Sequence, residues 1–237
     1  MKKLIIGFLI GVALTVPVMM GIMQPGIPAE EPAPTPEIVY VTPTPMPTPT
    51  PQVIYKERLT DLEQVVANTK DSCVMIYAHQ PNGAIEQGSG WVYNGFIITA
   101  KHVVEGSKQI DIFKDDSLNG IPAEIEHLDL TLDVAILRVY DTLPSVELGD
   151  SDKLIEGEKL VSITSPEGIK NVIEECTFAG EGINELNISD TITLAGSSGG
   201  AVFNYNSEIV GMIYGGYEGL SGAIPINQIK STLRKIE

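Results

Sequence analysis

With 237 residues and 43% apolar side chains, the chain can hold one large or two small domains with a proper core. Its 23 Gly and 16 Pro favour turns over long helices, and a formal charge of −16 with no Arg-rich run argues against a nucleic-acid partner. Cys73 and Cys176 stand far apart without a CxxC or a Cys/His cluster, so neither a metal site nor a cofactor is expected. A disulfide and two buried free thiols both fit the pair, and the unpaired state is favoured.

Met1-Lys2-Lys3 precedes Leu4 to Met23, which contains no charged side chain and is long enough to cross a hydrocarbon core as a helix. Pro17 is tolerable inside such a helix. The lysines should stay cytoplasmic and put the bulk of the chain on the far side. A cleaved signal peptide would have a shorter apolar region followed by an A-x-A-like site. Neither that site nor a lipobox cysteine is present, so residues 1–23 read as a cytoplasmic tip and an uncleaved signal-anchor, with residues 4–23 in the lipid bilayer. The expected topology is a single-pass membrane protein with its C-terminal domain in the periplasm or outside the cell. Residues 24–55 read as a linker. Its Thr-Pro repeat from Thr42 to Pro51 admits neither helix nor sheet ladder and should run as polyproline II. At ~3.1 Å per residue, that stalk reaches on the order of 90 Å.

Residues 56–237 read as the folded domain. Thr60-Asp61-Leu62-Glu63 has the pattern of a capping box, and Leu59, Leu62, Val65 and Val66 follow at helical spacing. Short strands are predicted next, at Cys73–Ala78, Gly90–Val92, Phe96–Thr99, Gln109–Phe113, Val134–Val139, Leu160–Ile163, Asn171–Ile173, Ala201–Phe203 and Ile209–Ile213. A last amphipathic segment, Ile226–Ile236, reads as helix. The length and the short strands fit two small all-β barrels, about 56–145 and 146–237.

Gly196-Ser197-Ser198-Gly199-Gly200 lies between β-type apolar segments and describes a tight turn with one exposed serine. Glycine opens dihedrals closed to other residues and leaves N–H groups unshielded, so that two of them can face a developing oxyanion. A serine is a poor nucleophile until a base takes its proton. Of the three histidines, His79 and His127 have polar, turn-like surroundings, whereas His102 follows the apolar run Phe96-Ile97-Ile98-Thr99. Asp133 opens the apolar run Val134-Ala135-Ile136-Leu137, where a carboxylate needs a partner. Asp129 is the nearby competitor. The order His102, Asp133, Ser198 is that of chymotrypsin. Asp133 would fix the imidazole tautomer, and the N–H groups of Gly196 and Ser198 would form the oxyanion hole.

From about Thr60 to Lys235 the chain resembles trypsin-like serine proteases of the HtrA/Deg type. The matching stretches are Gly88-Ser89-Gly90-Trp91-Val92, Ile98 to Val104, Leu132 to Leu137, Leu148 to Leu154, Gly196 to Ala201 and Gly222 to Ile226. The resemblance implies two six-stranded antiparallel β-barrels with the active site between them. It also implies endoproteolysis of unfolded or exposed polypeptide, often by homo-trimers. An inactive protease fold serving as an extracytoplasmic binding or sensing module is the alternative. There are departures from the pattern. Lys101 stands where a small residue is usual, and either perturbs the histidine or points to solvent. Ser197 replaces Asn or Asp, which removes activation through a newly cut N-terminus. Thr164-Ser165-Pro166 stands where a Gly-rich turn is usual. No PDZ domain follows before Glu237, so peptide-triggered regulation of that kind is expected to be absent or delegated. In this fold the residue six before the nucleophile lies at the base of the primary pocket, which here is Ile192. Thr193 and the segment from Tyr214 through Gly215 and Gly216 should line the rest. Without an acid or histidine there, small or medium apolar P1 residues are expected.

Overall fold

The computed structural model describes residues 60–114, 119–217 and 219–236. The expected membrane span at 4–23 and the linker at 24–55 lie outside them. Among the described residues, no helix is long and apolar enough to cross a membrane.

Helix α1 (Asp61–Thr69) starts at the capping box that the sequence predicts. Glu63 N–H donates to Thr60 Oγ1 (3.3 Å), while Thr60 N–H donates to the Glu63 carboxylate (2.6 Å). Six strands then form a closed barrel: β1 (Cys73–His79), β2 (Ile85–Tyr93), β3 (Phe96–Thr99), β4 (Gln109–Phe113), β5 (Ile121–Leu128) and β6 (Ala135–Val139), in the order β1-β2-β3-β6-β5-β4. The short helix α2 (Lys101–Val104) leaves the end of β3.

The second barrel uses β8 (Lys159–Thr164), β9 (Val172–Glu181), β10 (Leu186–Ser189), β11 (Ala201–Phe203), β12 (Glu208–Tyr217) and β13 (Leu220–Pro225). Its order is β11-β8-β9-β10-β13-β12, and the β11–β12 pairing closes it. Both six-stranded barrels are antiparallel, as expected. The two-residue strand β7 (Glu147–Leu148) adds to the second on the outside of β12, in parallel. The sequence reading misses β5, β7, β10 and β13 and shortens β2 and β9. Strands β2, β5, β9 and β10 place Glu, Asn or Ser at less buried positions, so they lack the apolar run that marks a strand buried on both sides.

Strands β8 and β11 do carry such runs, because they bury both faces. Leu160 and Val202 point into the second barrel with Cys176, Phe178, Leu186 and Ile188. Val161, Ile163, Ala201 and Phe203 join the larger core, which includes the interior of the first barrel. Helix α3 (Ile226–Leu233) adds Ile226, Ile229 and Leu233 to that core. It ends earlier than the predicted Ile236, because the i→i−3 bonds of Lys235 and Ile236 tighten the chain into a turn. Cys73 and Cys176 are buried, free thiols on β1 and β9. Burial pushes the Cys176 thiol up to about 12 and that of Cys73 further still.

Phe203 is fully buried where the two barrels share a core. Phe203→Ala is expected to destabilise the fold by about 3–5 kcal/mol, the usual range for a large core truncation. Denaturant unfolding of the two proteins measures that difference. A loss below ~1 kcal/mol would mean that the seam repacks around the cavity.

Candidate active site

Strand β3 ends at Thr99, and α2 turns the chain so that His102 emerges half-exposed. Asp133, just before β6, meets it twice. Its Oδ2 lies 2.6 Å from the imidazole Nδ1, and its Oδ1 accepts the His102 backbone N–H at 2.9 Å. An ionised carboxylate can only accept, so Nδ1 carries the proton and Nε2 is left as the free acceptor. The bond to Asp133 raises the His102 pKa; burial opposes this, and the charges of Asp133 and Glu86 add to the rise. For Asp133, burial pushes upward, but the two bonds from His102 and the charges of His102 and Lys101 hold the carboxyl below its ordinary value.

The competing acid is engaged elsewhere. Asp129 Oδ1 accepts the N–H groups of Thr131 and Leu132 (2.8 and 2.9 Å), and its Oδ2 accepts the Thr232 hydroxyl of α3 (2.6 Å). Lys101 Nζ donates to the Asp129 carbonyl at 2.9 Å, so this lysine braces the loop before Asp133 instead of pointing to solvent. His79 pairs with Asp111 on the neighbouring strand β4 (3.0 Å), and His127 lies on β5 opposite Ile136.

The turn at 196–200 is held group by group. Its four successive carbonyls, from Ala195 to Ser198, each accept one bond. The donors are Glu167 N–H (2.7 Å), the Ser89 hydroxyl (2.7 Å), Gly200 N–H (3.0 Å) and Ser89 N–H (2.8 Å). The N–H groups of Ser197, Gly199 and Gly200 donate to Leu194, Ile213 and Ser197 carbonyls. Among the described residues, the N–H groups of Gly196 and Ser198 alone in this turn have no backbone acceptor. A trans peptide points its C=O and N–H in opposite directions, so anchoring the Ala195 and Ser197 carbonyls fixes where those two N–H groups face. Gly199, at φ +88, packs so tightly that a Cβ would overlap the Ser89 carbonyl and Thr99 Oγ1. Ser197 is fully buried and accepts the Leu194 N–H with its hydroxyl (3.3 Å). The half-buried Ser198 points its Oγ at the carbonyl of Tyr214 (3.1 Å), not at His102.

The expected pocket residues divide into two groups. Tyr214, Gly215 and Gly216 line a cavity of about 310 Å³ together with Glu185, Asn187 and Leu220. Tyr214 hydrogen-bonds the Glu185 carboxylate, and that bond together with burial raises its phenol to about 12. Ile192 is instead 59% exposed, with its N–H on the Glu174 carboxylate (3.1 Å). Thr193 hydrogen-bonds the Ser221 hydroxyl and lies against Gly216, where a Cβ would come within 2.7 Å of Thr193 Cβ. Thr193 thus packs beside Gly216, next to the segment that lines the cavity. Among the described residues, no group of three or more His, Cys, Asp or Glu side chains is arranged to hold a metal ion.

The trypsin-like peptidase domain family matches residues 88–212, more than half of the chain. The chain belongs to that family. Its relatives include a probable periplasmic DegP-like serine endoprotease of Halomonas elongata, 35% identical over 59% of this chain and 33% of that protein. The putative serine protease HhoB of Synechocystis is 29% identical over 63% of this chain and 40% of its own length. This trypsin-like chain thus corresponds to well under half the length of those relatives. Two solved structures share its fold. They are the active form of the Rv3671c protease of M. tuberculosis (TM-score 0.65, 23% identity, 73% of this chain and 83% of that one) and the HtrA-type protease AlgW with a tripeptide (TM-score 0.68, 21% identity, 75% and 64%).

Because the bond to Asp133 raises the His102 pKa, an NMR titration should place the His102 midpoint above 6.5. Asp133→Asn should move it down. A midpoint unmoved by that substitution would deny the coupling. The same shifts fix the signs of the stability changes with pH. The His102 contribution is complete below its unfolded pKa and is lost as pH rises through the folded one. The Asp133 contribution is present above its unfolded value near 3.8 and is lost as pH falls through the folded one.

Proposed function

We propose that this trypsin-like domain is a serine endopeptidase in which Ser198 is the nucleophile, His102 the general base and Asp133 the residue that orients it. The observation that carries the reading is the pair of unbonded N–H groups, Gly196 and Ser198, in a turn whose neighbouring carbonyls are all anchored beside the serine. In the proposed cycle, Ser198 Oγ rotates from the Tyr214 carbonyl to His102 Nε2, a change between staggered side-chain wells. As the oxygen attacks the scissile carbonyl, His102 takes its proton and Asp133 stabilises the imidazolium. The two N–H groups receive the oxyanion. His102 then returns the proton to the leaving amine, and water releases the acyl-enzyme by the same route.

The substrates in this reading are unfolded or exposed polypeptides. The uncharged side chains of Ile192 and Thr193 support small or medium apolar P1 residues. We also infer that residues 4–23 anchor the protein in a lipid bilayer, N-terminus inside, with the protease domain outside on the Thr/Pro linker. Assembly as a homo-trimer belongs to the same reading. The apolar stretch after Lys2-Lys3 and the periplasmic designation of the DegP-like relative support this placement.

One observation favours a second reading, a protease fold used for binding. The Ser198 hydroxyl rests on Tyr214 and not on the imidazole.

A fluorophosphonate probe separates the two readings. The full chain should become labelled on Ser198, with labelling abolished in Ser198→Ala and suppressed by at least about 10²-fold in His102→Ala, as expected when a serine loses its base. A folded, unlabelled parent protein would favour the binding module. Mapping the cleavage sites in an unstructured protein then tests the P1 expectation. Dominant cleavage after Lys, Arg or Glu would reject it.

A further inference from the structure

Strand β2 sends two side chains across the seam towards the second barrel. Gln87 and Ser89 are two residues apart in an extended strand and therefore share a face. Ser89 bonds the nucleophile turn directly. Gln87 instead grips the turn between β8 and β9. Its amide nitrogen donates to the Ser165 carbonyl, and its amide oxygen accepts the Gly168 N–H at 3.0 Å. Between those two anchor points sits Glu167, whose backbone is left-handed (φ 49°, ψ 33°), a region that residues with a Cβ seldom adopt. Glu167 provides the N–H that holds the Ala195 carbonyl at 2.7 Å. The Gln87 amide also backs the α-carbon of Gly196, where a Cβ would come within 2.5 Å of it.

We propose that Gln87 is a positioning residue of the oxyanion site, acting through the Ser165–Gly168 turn. By holding both ends of that turn, Gln87 keeps Glu167 in its left-handed conformation, and so keeps its N–H on the Ala195 carbonyl. The Ala195–Gly196 peptide is planar, so this bond also sets the direction of the Gly196 N–H. Without the amide, nothing polar from the first barrel grips Ser165 O or Gly168 N–H among the described residues. Glu167 is then free to relax, and the Ala195–Gly196 peptide is free to rotate its N–H away from Ser198. The role is specific to the transition state, because a ground-state carbonyl gains less from that donor than an oxyanion does. The kinetic consequence rests on the endopeptidase reading. The structural clamp does not.

The test is Gln87→Met in the full chain, which keeps the length and bulk of the side chain and removes both polar bonds. The kcat on a peptide substrate should fall about 10- to 100-fold, less than the loss of an oxyanion donor outright. KM should stay within about two-fold, the signature of an interaction made only in the transition state. Affinity for a peptidyl boronate, whose tetrahedral oxygen occupies the oxyanion position, should fall in parallel with kcat while the melting temperature holds. Independently of turnover, amide hydrogen exchange at Glu167 and Gly168 should accelerate by ~10-fold or more, with Gly199 unaffected, as local opening requires. Unchanged exchange at Glu167 would overturn the proposal, as would faster exchange with parental kcat and boronate affinity. A parent protein without Ser198-dependent turnover would instead overturn the endopeptidase reading. The exchange measurement would still decide whether Gln87 holds the turn.

Discussion

Ser89 meets the Gly196–Gly200 turn twice, through its N–H to the Ser198 carbonyl and its hydroxyl to the Gly196 carbonyl. The same hydroxyl accepts the Ser165 N–H at 2.8 Å, so its proton has one direction left, towards Gly196. One fully buried side chain thus joins three segments, two of them from the other barrel. An unsatisfied buried carbonyl or N–H costs about 1–3 kcal/mol, so the turn and the β8–β9 connection are stable in these orientations only when β2 is present. The site is therefore a property of the closed seam. Neither barrel contains the proposed site alone, since His102 and Asp133 flank strands of the first and Ser198 precedes β11 of the second.

Close approach sets the second constraint. Gly199 brings the second barrel's backbone onto Ser89 and Thr99, and Thr99 Oγ1 itself donates to the Ser89 carbonyl. Any side chain at 199 would push the barrels apart by the width of a methyl group. That displacement would reach the Ser89 bonds to the Gly196 and Ser198 carbonyls. The glycine and the buried serine cooperate: one permits the contact, and the other converts it into defined peptide orientations.

This division explains what the sequence reveals. His102, Asp133 and Ser198 stand out as candidates because each is a reactive side chain at the edge of an apolar run; of these, the structure joins His102 to Asp133. Strands β8 and β11 are legible because burial on both faces leaves Leu160-Val161 and Ala201-Val202-Phe203 continuously apolar. Strand β9 is not, because Glu174 and Glu175 interrupt it while its inward residues alternate. Gln87 and Glu174 carry no local signature. Their partners lie 78 and 17–18 residues away, and a polar residue on a half-exposed strand looks the same whether or not it meets one. The surroundings of the expected pocket residues are hidden for a related reason. Spacing from Ser198 singles out Thr193 but not the Ser221 hydroxyl that it bonds 28 residues away.

The acidic groups around the cleft show how the fold separates carboxylates by task. Asp129 and Asp133 are four residues apart, yet Asp129 is saturated by two turn N–H groups and the Thr232 hydroxyl, whereas Asp133 has only the histidine as its hydrogen-bond partner. A carboxylate whose acceptor sites are filled by neutral donors gains little from an adjacent imidazolium. One that spends an oxygen on the imidazole gains more, because that bond becomes charge-assisted when the ring is protonated. Glu174 follows the first pattern, bonded to the Thr191 hydroxyl and the Ile192 N–H, and so it shapes the loop ahead of the nucleophile without competing for the proton. Of these three carboxylates, Asp133 is the one that faces the imidazole.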